Sequence, residues 1–301
     1  MIIRKKITPF ILLSPAVIML LGLMLFPLAW SFFTSLKSMS LFDLMMHSGE
    51  FVGFSNYADI FQDSNFWNAL KNSLIYVGIS VIGQVAFGLL IASILHSKIV
   101  KFSGLFRALF LIPWITCSVV AAYSWIYFLD ANIGFLPTLS LNFAFLKALG
   151  MDRRDWLTNP SIVIFVLSVI NIWKGTAFSM LMQSAGFQSI PGSVFEAAKV
   201  DGANAIQRFF RITIPILSPF ILINLVMTTM ITFNIYDMIL VITGGGPAHA
   251  SEVLSLYVYN TGFVNGEIGY AAALSMILFA VNLIATVFYL KYLNPRRGNN
   301  D

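Results

Sequence analysis

The sequence predicts an all-α, polytopic membrane protein with six transmembrane helices and both termini in the cytoplasm. Three observations carry that prediction. Of 301 residues, 58% are hydrophobic and only 10% charged, where a water-soluble chain carries roughly a quarter charged residues. The few charges bracket long uncharged stretches. The basic ones concentrate in alternate loops. This composition excludes a soluble enzyme, a disordered scaffold and a nucleic-acid binder. The lone Cys117, set in an apolar run, excludes an intrachain disulfide and a Cys-rich metal cluster.

A helical span needs about 20 mostly apolar residues to cross the hydrocarbon layer. Uncharged gaps run from Lys6 to Lys37, Lys71 to Lys98, Arg107 to Asp130, Asp155 to Glu196 (broken by Lys174), Arg211 to Asp237 and Glu267 to Lys291. They predict helices near 10–34, 72–95, 108–128, 160–183, 212–235 and 268–290. Arg4, Lys5 and Lys6 before the first gap resemble the basic region of a signal peptide. The apolar run continues through Phe26, Trp30, Phe32 and Phe33, past the length of a signal core, so it reads as a retained span.

Six spans place the termini, the second loop and the fourth loop on one side. That side gathers Arg4, Lys5, Lys6, Lys98, Lys101, Arg107, Lys199, Arg208, Arg211, Lys291, Arg296 and Arg297, while the other holds Lys37, Lys71, Lys147, Arg153 and Arg154. Basic residues stay cytoplasmic, so the net charge of +5 reports topology. No loop is long enough for an independent soluble domain of usual size, and residues 1–301 read as one membrane domain.

Hydrolytic chemistry finds no support. His47, His96 and His249 sit in loops or at span ends and form no HExxH pair. Gly78-Ile79-Ser80 has no histidine at membrane depth to act as its base. Tyr236-Asp237 has no second intramembrane carboxylate to share a proton. There is no GxxxxGK[ST] loop, so the chain does not hydrolyse ATP by that route.

The informative stretch is the cytoplasmic loop 190–211. Pro191-Gly192 ends the preceding element, and Ser193 with Glu196 three residues on predicts a capping box opening a short helix. The helix ends near Asp201-Gly202, where glycine permits a left-handed turn. A second helical piece follows, with Phe209 and Phe210 beside Arg208 and Arg211, and then Pro215 and Pro219.

Glu196-Ala197-Ala198, then Asp201-Gly202-Ala203, then Ile212-Thr213-Ile214-Pro215 resembles the EAA loop of binding-protein-dependent ABC-transporter permeases. The likeness extends to Val52-Gly53-Phe54-Ser55-Asn56-Tyr57, to the run from Phe66 to Ser73, to the run from Phe106 to Trp114, and to Thr243-Gly244-Gly245-Gly246-Pro247, as in the sugar branch of that family. The chain is similar to the larger maltose-permease subunit and to glycerol-phosphate permease subunits. It differs in showing neither that maltose subunit's extra N-terminal spans nor its large periplasmic insert, and in Ile-Pro where Leu-Pro is commoner.

The resemblance implies a permease subunit of an ATP-driven importer in the bacterial cytoplasmic membrane. It implies that Ser193, Glu196, Ala197, Ala198, Asp201, Gly202 and Ala203 dock on an ATPase subunit. Its implied partners are a second permease subunit in a heterodimer, two ATPase subunits carrying ATP and Mg2+, and an external substrate-binding protein. The chain itself would bind no cofactor, metal or nucleic acid.

Polar groups facing lipid are costly, which makes Asn171, Lys174, Thr228, Thr232, Asn234 and Tyr236 candidates for a substrate pathway. Asn171, Lys174, Gly175, Thr228 and Thr232 also fall where maltose-permease-like subunits line their sugar site. Against this, threonines can back-bond to their own helix and asparagines can tie helices together. Lys174 can pair with an anionic substrate, pair with Asp237, or snorkel. Tyr123, Trp125, Tyr127 and Trp173 can stack on a sugar ring or anchor at the interface. The rival functions are an ion-driven secondary carrier, a permease for a non-sugar solute, and a non-transporting membrane assembly protein.

Overall fold

The computed structural model describes residues 2–46, 48–97, 100–142 and 155–293. His47, Lys98, Lys147, Arg153, Arg154, Arg296 and Arg297 lie outside the described residues. In chain order the long elements are α1 (Ile2–Ser35), β1 (Lys37–Ser38), α2 (Leu41–Met46), β2 (Glu50–Phe51), α3 (Ser55–Gln62), α4 (Ser64–His96), α5 (Ser103–Ile115), α6 (Ser118–Leu129) and α7 (Phe135–Asn142). Then come α8 (Val163–Gln188), α9 (Gly192–Val200), α10 (Ala205–Arg208), α11 (Ile214–Asn234), α12 (Asp237–Ile242), α13 (Leu254–Tyr259) and α14 (Ile268–Tyr292).

Five helices are long and apolar enough to cross a membrane, namely α1 from Leu13, α4, α8, the run Ala205–Asn234 and α14. The sixth expected span, 108–128, is not one straight helix. It is α5 and α6 bent by 93° across Thr116 and Cys117. Counted as a single broken span, the pair completes six. Pro113 lacks the N–H that would bond back one turn, which weakens the end of α5. Thr116 closes it, with both its N–H (3.1 Å) and its hydroxyl (2.7 Å) donating to the Ile112 carbonyl.

The chain falls into two compact units. One comprises Met1–Ser64 with Val258–Phe279, the other Asn65–Tyr257 with Ala280–Asp301. In the first unit, β1 and β2 pair antiparallel, Lys37 opposite Phe51 and Ser38 opposite Glu50. The segment Val52–Tyr57 secures this ribbon. Val52 N–H donates to Leu36 O at 2.9 Å, and the buried Asn56 amide donates to Ser35 O (2.8 Å) and Lys37 O (3.0 Å). The Tyr57 and Ser35 hydroxyls share a 2.7 Å bond. Asp43 accepts from the hydroxyl and N–H of Ser40, which hold its carboxyl below the usual carboxylate range.

In the second unit α8 is the hub, packing on α5 and α11, while α6 packs on α12. Lipid tails are as apolar as leucine, so close packing rather than water exclusion holds such helices together. Small residues provide it: an added Cβ on Gly88 of α4 would meet the Ser179 backbone at 2.9 Å, and one on Gly186 would meet Leu217 at 2.7 Å. Ala92 and Leu95 of α4, Met180 and Phe187 of α8, Ile190 and Leu217 form one buried apolar cluster.

The loop Thr243–Leu254 is clamped onto α4 within this unit. The Asn68 amide donates to His249 O at 2.7 Å. The Asn72 amide donates to His249 O and Glu252 O, both at 3.1 Å, and Ser73 Oγ accepts from Leu254 N–H at 2.7 Å. Gly244 and Gly245 adopt positive φ, and the Thr243 and Ser251 hydroxyls close the turn at 2.8 Å. The segment Asn68–Ser73, singled out in the sequence, thus holds His249, Glu252 and Leu254, which follow the Thr243–Pro247 motif in the same loop.

Candidate functional site

A cavity of about 570 Å³ opens within the second unit, in the size range of small-molecule sites. Asn171, Lys174, Gly175 and Phe178 recur on α8 at i, i+3, i+4 and i+7, one helical face, and all line it. Thr228 and Thr232 come from α11, Tyr236 and Asp237 from the turn into α12. The six residues expected on a substrate pathway, Asn171, Lys174, Gly175, Thr228, Thr232 and Tyr236, therefore share a single cavity wall. Gln84, Trp114 and Ser118 complete it from α4, α5 and α6.

The hydrogen bonds separate polar groups that hold helices together from those left available. Asn224 Oδ1, fully buried, accepts from Ser179 Oγ across the α8–α11 interface (3.3 Å) and from Thr228 Oγ1 (3.1 Å). Thr228 thus bonds a side chain rather than its own backbone. Gln84 Nε2 donates to Asn171 O at 3.2 Å, tying α4 to α8. Asn234 bonds back to Met230 O and serves its own helix. Asn171 Nδ2 and Thr232 Oγ1, on residues 1% exposed, have no partner among the described residues.

Lys174 does not pair with Asp237. Its Nζ donates to Ser118 Oγ at 2.5 Å, and it forms no ion pair among the described residues. Tyr123, Trp125, Tyr127 and Trp173 do not line this cavity. Trp125 and Trp173 stack edge-to-face, 5.5 Å between centroids, and line a separate shallow pocket with Ser124 and Phe128. The rings in the main cavity are Trp114, Phe178 and Tyr236.

The loop 190–211 contains the expected helix–turn–helix with one correction. α9 begins at Gly192, its N-cap is Pro191, and Ser193 makes no capping bond. Pro191 holds an extended conformation (φ −61°, ψ 137°) and sets the helix start one residue before Ser193. The end matches expectation. Gly202 is left-handed at φ +75°, its N–H donates to Lys199 O (3.1 Å), and Ala203 N–H donates to Ala198 O (3.0 Å), which is a Schellman ending. The capping box lies on α10, where Asn204 and Gln207 exchange side-chain and backbone bonds at 2.8 and 2.9 Å.

Of the residues expected to couple, Ser193, Glu196, Ala197, Asp201 and Gly202 are exposed, Ala203 is half-buried and Ala198 is buried. Val194 and Phe195, not anticipated, turn the other way and pack on the cluster of Leu95, Phe187 and Leu217. Val200, at 88% exposure, and Ile206, at 69%, leave an apolar outer surface.

Comparison with known proteins agrees with this architecture. Residues 84–299 match the family described as binding-protein-dependent transport system inner membrane component. The chain is 32% identical to the sulfoquinovosyl glycerol transport system permease protein SmoG of Agrobacterium fabrum, over 97% of this chain and 92% of that one. It is 31% identical to the trehalose/maltose transport system permease protein MalF of Thermococcus litoralis, over 98% and 96%. Its fold matches, at a TM-score of 0.78 and 23% identity over the full length of both, a chain of a bacterial ABC transporter that imports the acidic polysaccharide alginate. On the family match over residues 84–299 the chain is a member of the binding-protein-dependent transport-system inner membrane component family.

Proposed function

We propose that the chain is the permease subunit of an ATP-driven importer that carries a carbohydrate or related polyol derivative across the bacterial cytoplasmic membrane by alternating access. One observation carries the reading. Three of the helices that wall the cavity, α4, α8 and α11, also contribute to the apolar cluster on which Val194 and Phe195 of α9 are seated. A push on α9 is therefore delivered to the helices around the cavity. The exposed face of α9, with Glu196, Ala197 and Val200, suits an ATPase subunit that holds ATP and Mg2+. A second permease subunit, two such ATPases and an external binding protein complete the assembly, with α9 and both termini cytoplasmic. The named cargoes of the relatives, trehalose or maltose and sulfoquinovosyl glycerol, support the carbohydrate class.

The test is to purify the tagged chain under gentle solubilisation, identify its partners, and measure uptake in vesicles with and without ATP. Recovery of a nucleotide-binding subunit, lost in Gly202→Asp, with ATP-dependent sugar uptake, supports the proposal. Recovery of the chain alone, with uptake that ignores ATP and collapses with the ion gradient, establishes a secondary carrier instead.

A further inference from the structure

The bend between α5 and α6 places an element in the cavity wall that a straight span would not have. Ser118 is the first residue of α6, a helix of twelve residues, and no side chain caps its start. The free N–H groups of a first turn carry partial positive charge and favour an anion. Beside this end stands Lys174, whose one described partner is the neutral Ser118 hydroxyl. A hydroxyl orients an ammonium without neutralising it. A lysine in mid-span that faces a cavity marks an ion or substrate path.

Asn171, one turn before Lys174 on the same face, adds a second and independent sign. Its amide nitrogen is buried in the cavity wall and unpaired among the described residues. An unpaired buried donor is costly, and an acceptor on a ligand would relieve it. Asp237 lines the same cavity without pairing to Lys174. A carboxylate without an ion pair among the described residues accepts bonds from sugar hydroxyls. The cavity therefore offers an ammonium and an amide donor together with a separate carboxylate acceptor.

We propose that the cargo bears an anionic group, a carboxylate, sulfonate or phosphate, seated against Lys174, Asn171 and the first turn of α6, with neighbouring hydroxyls meeting Asp237. Lys174 then sets the charge preference of transport. The inference rests on the carbohydrate-importer reading and narrows it.

The experiment uses the whole complex with its binding protein in vesicles. It measures ATP-driven uptake of matched probes: glucuronyl-glucose against cellobiose, and glycerol 3-phosphate against glycerol. The binding protein is common to all variants, so a change in the anionic-to-neutral ratio belongs to this chain. Wild type is expected to favour the anionic member of at least one pair. Lys174→Gln lowers that ratio at least tenfold with assembly retained, and Lys174→Arg preserves it. Preference for the neutral member in wild type overturns the inference while leaving a sugar importer intact. So does a ratio that Lys174→Gln leaves unmoved, as it would be if Lys174 held a lipid phosphate. An equal loss in Lys174→Gln and Lys174→Arg marks a packing role and also overturns it. ATP-driven uptake of an unrelated solute, with no sugar of either kind taken up, overturns the carbohydrate reading itself.

Discussion

The side-chain amide of Gln84 occupies the space that a Cβ on Gly175 would fill, and from there donates to Asn171 O at 3.2 Å. α4 and α8 meet by a glutamine on one helix fitting the absence of a side chain on the other.

Gly175→Ala must therefore displace the Gln84 amide and break its bond to Asn171 O. Overpacking of this kind costs about 1–3 kcal/mol, and uptake is expected to fall with a matching loss of thermal stability. Shortening the opposing residue tests the cause. The double variant Gly175→Ala/Gln84→Ala should recover part of both losses, so that the two changes are not additive. Additive losses would refute the fit.

Gly202 holds the Schellman ending of α9 at φ +75°. No side chain or backbone lies near its missing Cβ, so conformation alone is at stake. Gly202→Ala is expected to cost about 1 kcal/mol and to lower ATP-driven uptake. Gly202→Asn, whose side chain tolerates the left-handed region, should do less harm. Equal damage from both would point to a requirement for space on the partner's surface.

Asn72 donates to two carbonyls of the Thr243–Leu254 loop, Asn68 to one of them. Asn72→Leu strands the Glu252 carbonyl beneath that loop and should destabilise it by about 1–3 kcal/mol. Hydrogen exchange at Ala250–Leu254 should accelerate. Asn68→Leu, at a half-buried position whose acceptor keeps Asn72, should accelerate it less.

Asp130 ends α6, and its Oδ1 accepts from Ile133 N–H (3.0 Å) and Asn132 N–H (2.8 Å), which hold its carboxyl below the usual carboxylate range. A depressed folded value means that the turn's stabilisation is full above the unfolded carboxylate value and is lost as pH falls through the folded one. Amide exchange at Asn132 and Ile133, referred to Asp130→Asn at the same pH, should show protection at neutral pH that fades on acidification. Protection independent of pH would refute the role of the carboxylate.

The helix count was legible because hydrocarbon tolerates few charges, and Asp, Glu, Lys and Arg bracket every span. The break at Thr116–Cys117 was not, since Arg107 and Asp130 bracket a bent pair as well as a straight one. Its local sign was Pro113 followed by two β-branched residues, Ile115 and Thr116. The cavity residues Asn171, Lys174, Thr228 and Thr232 were readable from the cost of polar groups at membrane depth. The same reasoning reaches Gln84 and Asn224, which lie in α4 and α11. Ser193-x-x-Glu196 and Asn204-x-x-Gln207 are equivalent as patterns. Pro191 disqualified the first by starting the helix early, and the loop after Gly202 left the second free to form.

The bend at Thr116–Cys117 has an electrical consequence. Backbone that leaves a helix at membrane depth is tolerated where it is buried in protein or meets water in a cavity, and here Ser118, directly after the bend, lines one. Water entering that cavity would carry bulk dielectric inward, so a membrane voltage would fall mainly across the packed helices that the water does not reach. Moving one elementary charge through 100 mV is worth about 2.3 kcal/mol. For the anionic cargo proposed at Lys174, that work would be left to the step that leaves the cavity.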